Sequence, residues 1–190
     1  GNFGIFGNTS IAGFSVMTAG IPLGISFYSL QQITGLFDIQ KQNALRLSLP
    51  RHALWVSFFA QLPAGPIFAY RDAASQYQRL GREPVPASMI LAGVSLFTFG
   101  LIKKMGIADP LGSAVNAIYA AAAEGAITLF EAWYAVWGFL LQFYFDFSAY
   151  SDMALGIGLC FGLRLPINFN SPLKAVSLTD YINRWHMSLI

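Results

Sequence analysis

Two stretches of this 190-residue sequence carry side chains that could do chemistry. The first is Asp180 to His186, which sets Asp180, Asn183, Arg184, Trp185 and His186 within two helical turns. His186 is one of two histidines in the chain. Neutral imidazole takes a proton from a hydroxyl near neutral pH, because its ordinary pKa is about 6.5. Acyl transfer to an alcohol needs such a base, since a free hydroxyl is a poor nucleophile. A lone histidine can equally be a packed hydrogen-bonding residue, and the residues alone leave both readings open. Arg184 can hold a phosphate or pair with Asp180 one turn back. The other histidine, His52, follows Arg51 at a segment start and reads as a boundary residue.

The second stretch is Gln142 to Asp152, two carboxylates in an apolar run. On a helix Gln142, Asp146 and Tyr150 form one stripe, with Asp152 on another face above Ser148. An acid at mid-membrane costs about 2.5–3.5 kcal/mol, so it faces a partner or a wet cavity. Asp146, Tyr150 and Asp152 therefore read either as the polar wall of a substrate tunnel or as braces between helices. Arg164 or Arg184 would be the partner in the second case. No histidine lies within a turn or two of either aspartate, which argues against a metal site. No serine–histidine–acid order, zinc motif or phosphate loop occurs. The single Cys160 excludes an intrachain disulfide and reads as a packed apolar residue. Gly156 to Gly162 misses the dinucleotide fingerprint by one position, and Gly158 with Gly162 predicts close helix packing.

The elements that must position these groups follow from composition. Hydrophobic residues make up 55% of the chain and charged ones 11%, with mean hydropathy +0.54. Soluble domains carry about 25% charged residues, so the composition predicts an all-α, polytopic membrane chain. Seventeen phenylalanines and eight tyrosines suit lipid contact and interfacial anchoring. The net charge of +2, with no basic stripe, excludes a nucleic-acid partner. Uncharged runs place spans at Ile11–Leu36, Val85–Ile102 (closed by Lys103 and Lys104), Ala126–Phe145 and Met153–Leu163. Polar loops with Lys41, Arg46 and Arg51, then Arg71, Arg79 and Arg82, separate the earlier runs. His52–Tyr70 differs, with basic residues on both flanks and Pro63-Ala-Gly-Pro66 inside. It predicts a re-entrant or broken element whose freed backbone is satisfied inside protein, with a kinked span as the alternative. Pro166, Asn168, Asn170, Ser171 and Pro172 form a loop. Ser177 and Asp180 then have capping-box-like spacing for a last helix, interfacial or buried in protein, running to the chain end. Asn8-Thr9-Ser10 spells a glycosylation sequon, a pattern common by chance. Gly1 and the helical pattern still running at Leu189-Ile190 make residues 1–190 read as one internal stretch of a transmembrane domain.

Five stretches add a resemblance. They are Ile21-Pro-Leu-Gly-Ile-Ser-Phe-Tyr28, Pro63-Ala-Gly-Pro66, Gly100-Leu-Ile-Lys-Lys-Met-Gly-Ile-Ala-Asp109, Tyr144-Phe-Asp-Phe-Ser-Ala-Tyr-Ser-Asp-Met-Ala154 and Arg184-Trp-His-Met-Ser-Leu189. In this order they resemble the membrane-bound O-acyltransferase family, in its bacterial alginate O-acetyltransferase branch. The resemblance implies a many-helix enzyme of the bacterial inner membrane, multi-pass, with a tunnel through a thinned core. It implies transfer of an acyl group, acetyl in this branch, to hydroxyls of an exported polysaccharide such as alginate, with periplasmic partner proteins. D-alanyl transfer to teichoic acid and lipid acylation are the family variants. A transporter using intramembrane acids is the alternative from another class.

On this resemblance His186 falls on the motif histidine that members need for activity. A second family histidine, in a tryptophan-histidine-glycine motif, lies further towards the C-terminus, so the stretch alone is expected to be inactive. Pro63, Gly65, Pro66, Asp146, Tyr150 and Asp152 would shape the tunnel wall, while Asn183, Arg184 and Trp185 would support His186. No cofactor or metal is expected to be bound; acetyl-CoA or another acyl thioester would enter as donor from the cytoplasmic side. The basic loops do not alternate cleanly enough to give an orientation.

Overall fold

The longest apolar stretches of the sequence form two antiparallel rods, and shorter pieces pack at their sides. A computed structural model describes residues 10–11, 14–15, 24–41, 47–62, 64–125 and 127–189. Pro63, the sequon's Asn8 and Thr9, Arg46 and most of the stretch from Ile11 to Leu23 lie outside the described residues. The elements are a two-residue antiparallel pair, β1 (Ser10–Ile11) with β2 (Phe14–Ser15), and helices α1 (Ile25–Lys41), α2 (Leu49–Val56), α3 (Tyr70–Arg79), α4 (Ala87–Lys103), α5 (Asp109–Ala123), α6 (Leu129–Cys160) and α7 (Leu178–Arg184). The all-α expectation therefore holds apart from that short pair.

Lys103 and Lys104 do not close a span, as the sequence suggested. A π-helical turn, Lys104–Ala108, carries the chain from α4 directly into α5. The result is one 37-residue helix, Ala87–Ala123, about 55 Å long at 1.5 Å per residue. Both lysines are accommodated because carboxylates meet them. Lys104 Nζ lies 2.7 Å from Asp109 and 2.7 Å from Asp146, and Lys103 pairs with Asp152. By length and composition this is the one helix, among the described residues, able to cross a membrane.

The two expected runs Ala126–Phe145 and Met153–Leu163 are also a single element, the 32-residue α6. Asp146 and Asp152 do not interrupt it, since each finds a lysine across the helix pair. A capping box starts α6: Thr128 Oγ1 accepts from Glu131 N (3.3 Å) and Thr128 N donates to Glu131 Oε2 (2.7 Å). It ends in a Schellman turn, with Gly162 at φ +80° and Leu163 N donating to Gly158 O (2.8 Å).

Close approach of the rods is made by glycines other than those expected. A Cβ on Gly93 would stand 2.6 Å from the Gly156 carbonyl oxygen, and one on Gly100 would stand 2.7 Å from that of Ala149. Further along, Gly112 faces Gln142 and Gly138 faces Val115. The pairs run in opposite order along the two helices, which makes the packing antiparallel. Gly158 instead packs on Leu163 and Leu165 of the following loop, and Gly162 serves the helix end.

Beside the rods, α1 continues through Asp38 to Lys41, past the expected boundary at Leu36. The stretch His52–Tyr70 is broken as predicted: α2 stops at Val56 and regular helix resumes only at Tyr70. Trp55, fully buried, anchors it, with Gln31 Nε2 (3.1 Å) and Gln61 Nε2 (3.2 Å) donating to its carbonyl. Its indole Nε1 donates to Phe68 O (3.0 Å). The amphipathic α3 turns Tyr70, Ala73, Ala74 and Tyr77 onto this core. The last helix is shorter than expected. It stops at Arg184, and a 3-10 turn, Met187–Leu189, follows.

Candidate functional site

His186 sits at that helix end, not within a helix. Its φ is +49°, in the left-handed region that side-chain-bearing residues seldom occupy. Such a conformation costs of order 1–3 kcal/mol and persists only where the surroundings impose it. Two contacts fix the ring. Phe27 of α1 stacks on it at 6.4 Å and 16°, and Phe147 of α6 lies at 5.0 Å and 60°. Burial between these rings holds the imidazole pKa below its ordinary value, so the ring is neutral at physiological pH. Its Nδ1 is buried and has no hydrogen-bond partner among the described residues.

The backbone on either side of His186 is pinned by the Pro166–Pro172 loop. Asn168, 1% exposed, accepts from Met187 N at its carbonyl (2.8 Å). Its Oδ1 accepts from both the amide N (3.3 Å) and the hydroxyl (2.9 Å) of Ser188. Its Nδ2 donates to Ser151 Oγ of α6 (3.3 Å). Ser188 Oγ in turn accepts from Ile67 N (2.9 Å) in the broken segment. One buried amide thus ties the two residues after His186 to α6 and to the chain just beyond Pro66. On the other side Asn170 N donates to Arg184 O (3.0 Å).

The broken segment meets α6 again at Tyr150, whose hydroxyl donates to Ala60 O (2.9 Å). Gly65 and Pro66 are buried beside it, and Gly65 N donates to Gln61 O (2.9 Å) to close the turn. Gly65 and Pro66 thus adjoin Ile67, which bonds Ser188, and Tyr150 holds the start of the same segment. Pro63 lies outside the described residues.

Asp146 and Asp152 point elsewhere. Their partners are Lys104 and Lys103 of the α4–α5 rod, in place of the suggested Arg164 or Arg184. On α6 the residues that reach His186 and Asn168 are Phe147 and Ser151, about 100° from the Asp146 and Asp152 directions respectively. The acids join the rods together, while Phe147 faces the histidine and Ser151 faces Asn168.

Arg184 is taken up by its own helix. Its Nε lies 2.6 Å from Asp180 Oδ1, and a terminal nitrogen donates to Asn170 O (3.3 Å). The Arg184 guanidinium beside Asp180 holds that carboxyl below the usual carboxylate range. Ser177 Oγ accepts from Asp180 N (3.1 Å), while Asp180 Oδ2 accepts from Val176 N (3.2 Å), one residue before the expected cap. Trp185 stacks on Tyr181 (5.7 Å, 18°) and Phe143 (5.8 Å, 20°), fastening α7 to α6. Asn183 is exposed.

Sequence reasoning missed Asn168 as more than a loop residue, and it missed Ser151, Ser188, Phe27 and Phe147. An asparagine between two large apolar residues, Ile167 and Phe169, was the available signal. A polar side chain in such company is drawn inward only if its hydrogen bonds are met.

Comparison with known proteins places this geometry. The family model described as MBOAT, membrane-bound O-acyltransferase family, matches residues 15–189. The chain is 37% identical over 194 residues to a peptidoglycan O-acetyltransferase of Helicobacter pylori, covering 89% of this chain and 36% of that protein. It is 35% identical over 170 residues to the protein named probable alginate O-acetylase of Azotobacter vinelandii, covering 89% and 33%. A teichoic acid D-alanyltransferase of Bacillus subtilis is 28% identical over 172 residues, covering 88% and 42%. The chain thus spans about a third of the length of the first two of these curated relatives. A match running through nearly all of the chain, with His186 and its supports inside it, means that this chain belongs to the membrane-bound O-acyltransferase family.

Proposed function

We propose that the protein transfers an acyl group, acetyl in the first instance, from a thioester to hydroxyls of an exported polysaccharide. It would work as a multi-pass enzyme of the bacterial inner membrane. The observation that carries this reading is His186: neutral, held in a left-handed conformation between Phe27 and Phe147, with a buried Nδ1 unpartnered among the described residues. A neutral imidazole so fixed accepts the proton of an acceptor hydroxyl as the oxygen attacks the thioester carbonyl. The C–O bond forms, the C–S bond breaks, and the departing thiolate takes up a proton. A second histidine beyond this stretch would share the proton transfers, as the family resemblance implies.

Acetyl-CoA or another acyl thioester fits as the donor, arriving from the cytoplasmic side, and periplasmic partner proteins would present the acceptor. Asn168 and Ser188 set the backbone of His186, Tyr150, Gly65 and Pro66 support the adjoining wall, and Arg184 and Trp185 hold α7 in place. A bound cofactor or metal has no role in this scheme. The acids Asp146 and Asp152 brace the rods, and since each already faces a lysine, an ion-carrying role for them is disfavoured.

The test is polysaccharide acetylation in cells making the protein in the full length its gene encodes. His186→Ala and the near-isosteric His186→Gln should each lower acetylation by about 10²–10⁴-fold at equal protein abundance. Retained acetylation would assign His186 a structural role and refute this mechanism. The Bacillus subtilis relative supports a second reading, in which D-alanine is transferred to a teichoic acid. Release of D-alanine instead of acetate on mild alkaline treatment of the envelope would select it.

A further inference from the structure

The two ends of the antiparallel rods differ in charge. Beside the start of α4 and the end of α6 lie Arg79, Arg82 and Arg164, whereas the far connection, residues 124–131, holds Glu124 and Glu131 and no basic residue. Basic residues flanking a membrane crossing gather on its cytoplasmic side. On that rule the arginine end of the rods would face the cytoplasm.

A pocket of about 410 Å³ opens at that end, between the end of α3, the 80–86 connection and the cap of α6. Gln76, Arg79, Glu83 and Arg164 supply its polar side, and Met89 and Phe161 an apolar one. The backbone of Arg164 is fixed there by a reciprocal pair of bonds: its N donates to Gln76 Oε1 (2.7 Å) and its carbonyl accepts from Gln76 Nε2 (3.3 Å). Yet Arg79, Arg164 and Glu83 form no ion pair with any described residue. Two guanidinium groups and a carboxylate share one pocket without neutralising one another.

We propose that this pocket binds the headgroup of a membrane phospholipid. The phosphodiester would lie on Arg79 and Arg164, whose forked donors suit phosphate oxygens. The terminal ammonium or hydroxyl of the headgroup would donate to Glu83. The first acyl carbons would run along Met89 and Phe161 into the bilayer beside α4. Basic pockets between helix ends at the cytoplasmic surface are suited to such headgroups. Glu83 sets the selectivity: it repels a free phosphate dianion, and a choline headgroup, with no N–H or O–H, offers it charge attraction but no hydrogen bond. The inference rests on the membrane-bound family and not on the acyl-transfer reading.

The experiment is lipid titration of the full-length protein in neutral detergent, with short-chain phosphatidylethanolamine, phosphatidylglycerol and phosphatidylcholine, followed by intrinsic fluorescence. Phosphatidylethanolamine or phosphatidylglycerol should bind at least about tenfold more tightly than phosphatidylcholine, and Arg79→Gln with Arg164→Gln should raise the apparent Kd by about tenfold or more. Glu83→Leu, which removes the acceptor and keeps both guanidinium groups, should abolish the preference over phosphatidylcholine. Arg82→Gln, outside the pocket lining, should change little. Unaltered binding by the double variant, an equal loss in Arg82→Gln, or displacement of the lipid by inorganic phosphate would each overturn the proposal. If the double variant does not fold, the headgroup preference of Glu83→Leu decides alone.

Discussion

In the pair formed by α4–α5 and α6, most backbone groups are satisfied within their own helix. The rods therefore meet through side chains and notches: Gly93 on Gly156, Gly100 on Ala149, and Lys103 and Lys104 on Asp152 and Asp146. Around His186 the situation is reversed. Over 57–62, 64–69, 161–171 and 185–186 the chain is irregular, and its amides and carbonyls are met by Asn168, Ser188 and Tyr150, while Gln31 and Gln61 take the Trp55 carbonyl at the end of α2. Regular backbone leaves side chains free to set how far apart helices stand. Irregular backbone consumes polar side chains to hold one conformation, and it can thereby fix a left-handed histidine that a helix would not allow.

This contrast makes distinct predictions for the two regions. The largest effect is expected at Asn168. Asn168→Ala removes the acceptor of Ser188 and the donor to Ser151 together, and should lower kcat by about a hundredfold, the scale of a small displacement of a reacting group. The KM for the donor should change far less, and Asn168→Asp, which keeps Oδ1, should recover part of the rate. Equal losses in both variants with unaltered kcat per folded molecule would reduce Asn168 to a fold support.

The pH profile comes next. The pKa of His186 is lowered by burial, so its neutral form persists below the ordinary value of about 6.5. The transfer rate should hold to below that pH, then fall roughly tenfold per unit as the ring is protonated. Stability linked to this group should be complete above the ordinary value and diminish as pH falls through it, because the folded state binds the proton less well. An acid limb starting well above about 6.5 would contradict a buried neutral imidazole.

The smallest effect concerns the rods. Gly100→Val sets atoms against the Ala149 carbonyl and should cost about 1–3 kcal/mol in thermal or denaturant unfolding. Activity per folded molecule should be unaffected, since the glycine lies on the Asp152 side of α6. A change in kcat with unchanged stability would mean that rod spacing and the site are coupled.

Several features were legible in the linear sequence because their causes lie within a turn or two. The break at His52–Tyr70 follows from the Pro63-Ala-Gly-Pro66 cluster, whose closely spaced prolines remove helical N–H donors. The Ser177 cap and the Asp180–Arg184 pair follow from three- and four-residue spacing, and the family from five ordered stretches ending at Leu189. The runs ending at Lys103 and beginning at Met153 misled, since a charge ends a hydrophobic run without ending a helix once a carboxylate or an ammonium stands opposite.

The sequence by itself determined the helical, apolar character of the chain, its breakers and caps, and the motif in which His186 stands. Only the tertiary structure decided which cation meets which acid, which glycines let the rods touch, and that Asn168 governs the histidine's backbone. Local backbone preference is written in neighbouring residues and can be read off them. Pairings between residues 67 and 188, 93 and 156, or 151 and 168 depend on where whole helices come to rest. That is set by the packing of the entire chain and by the need of every buried polar group for a partner.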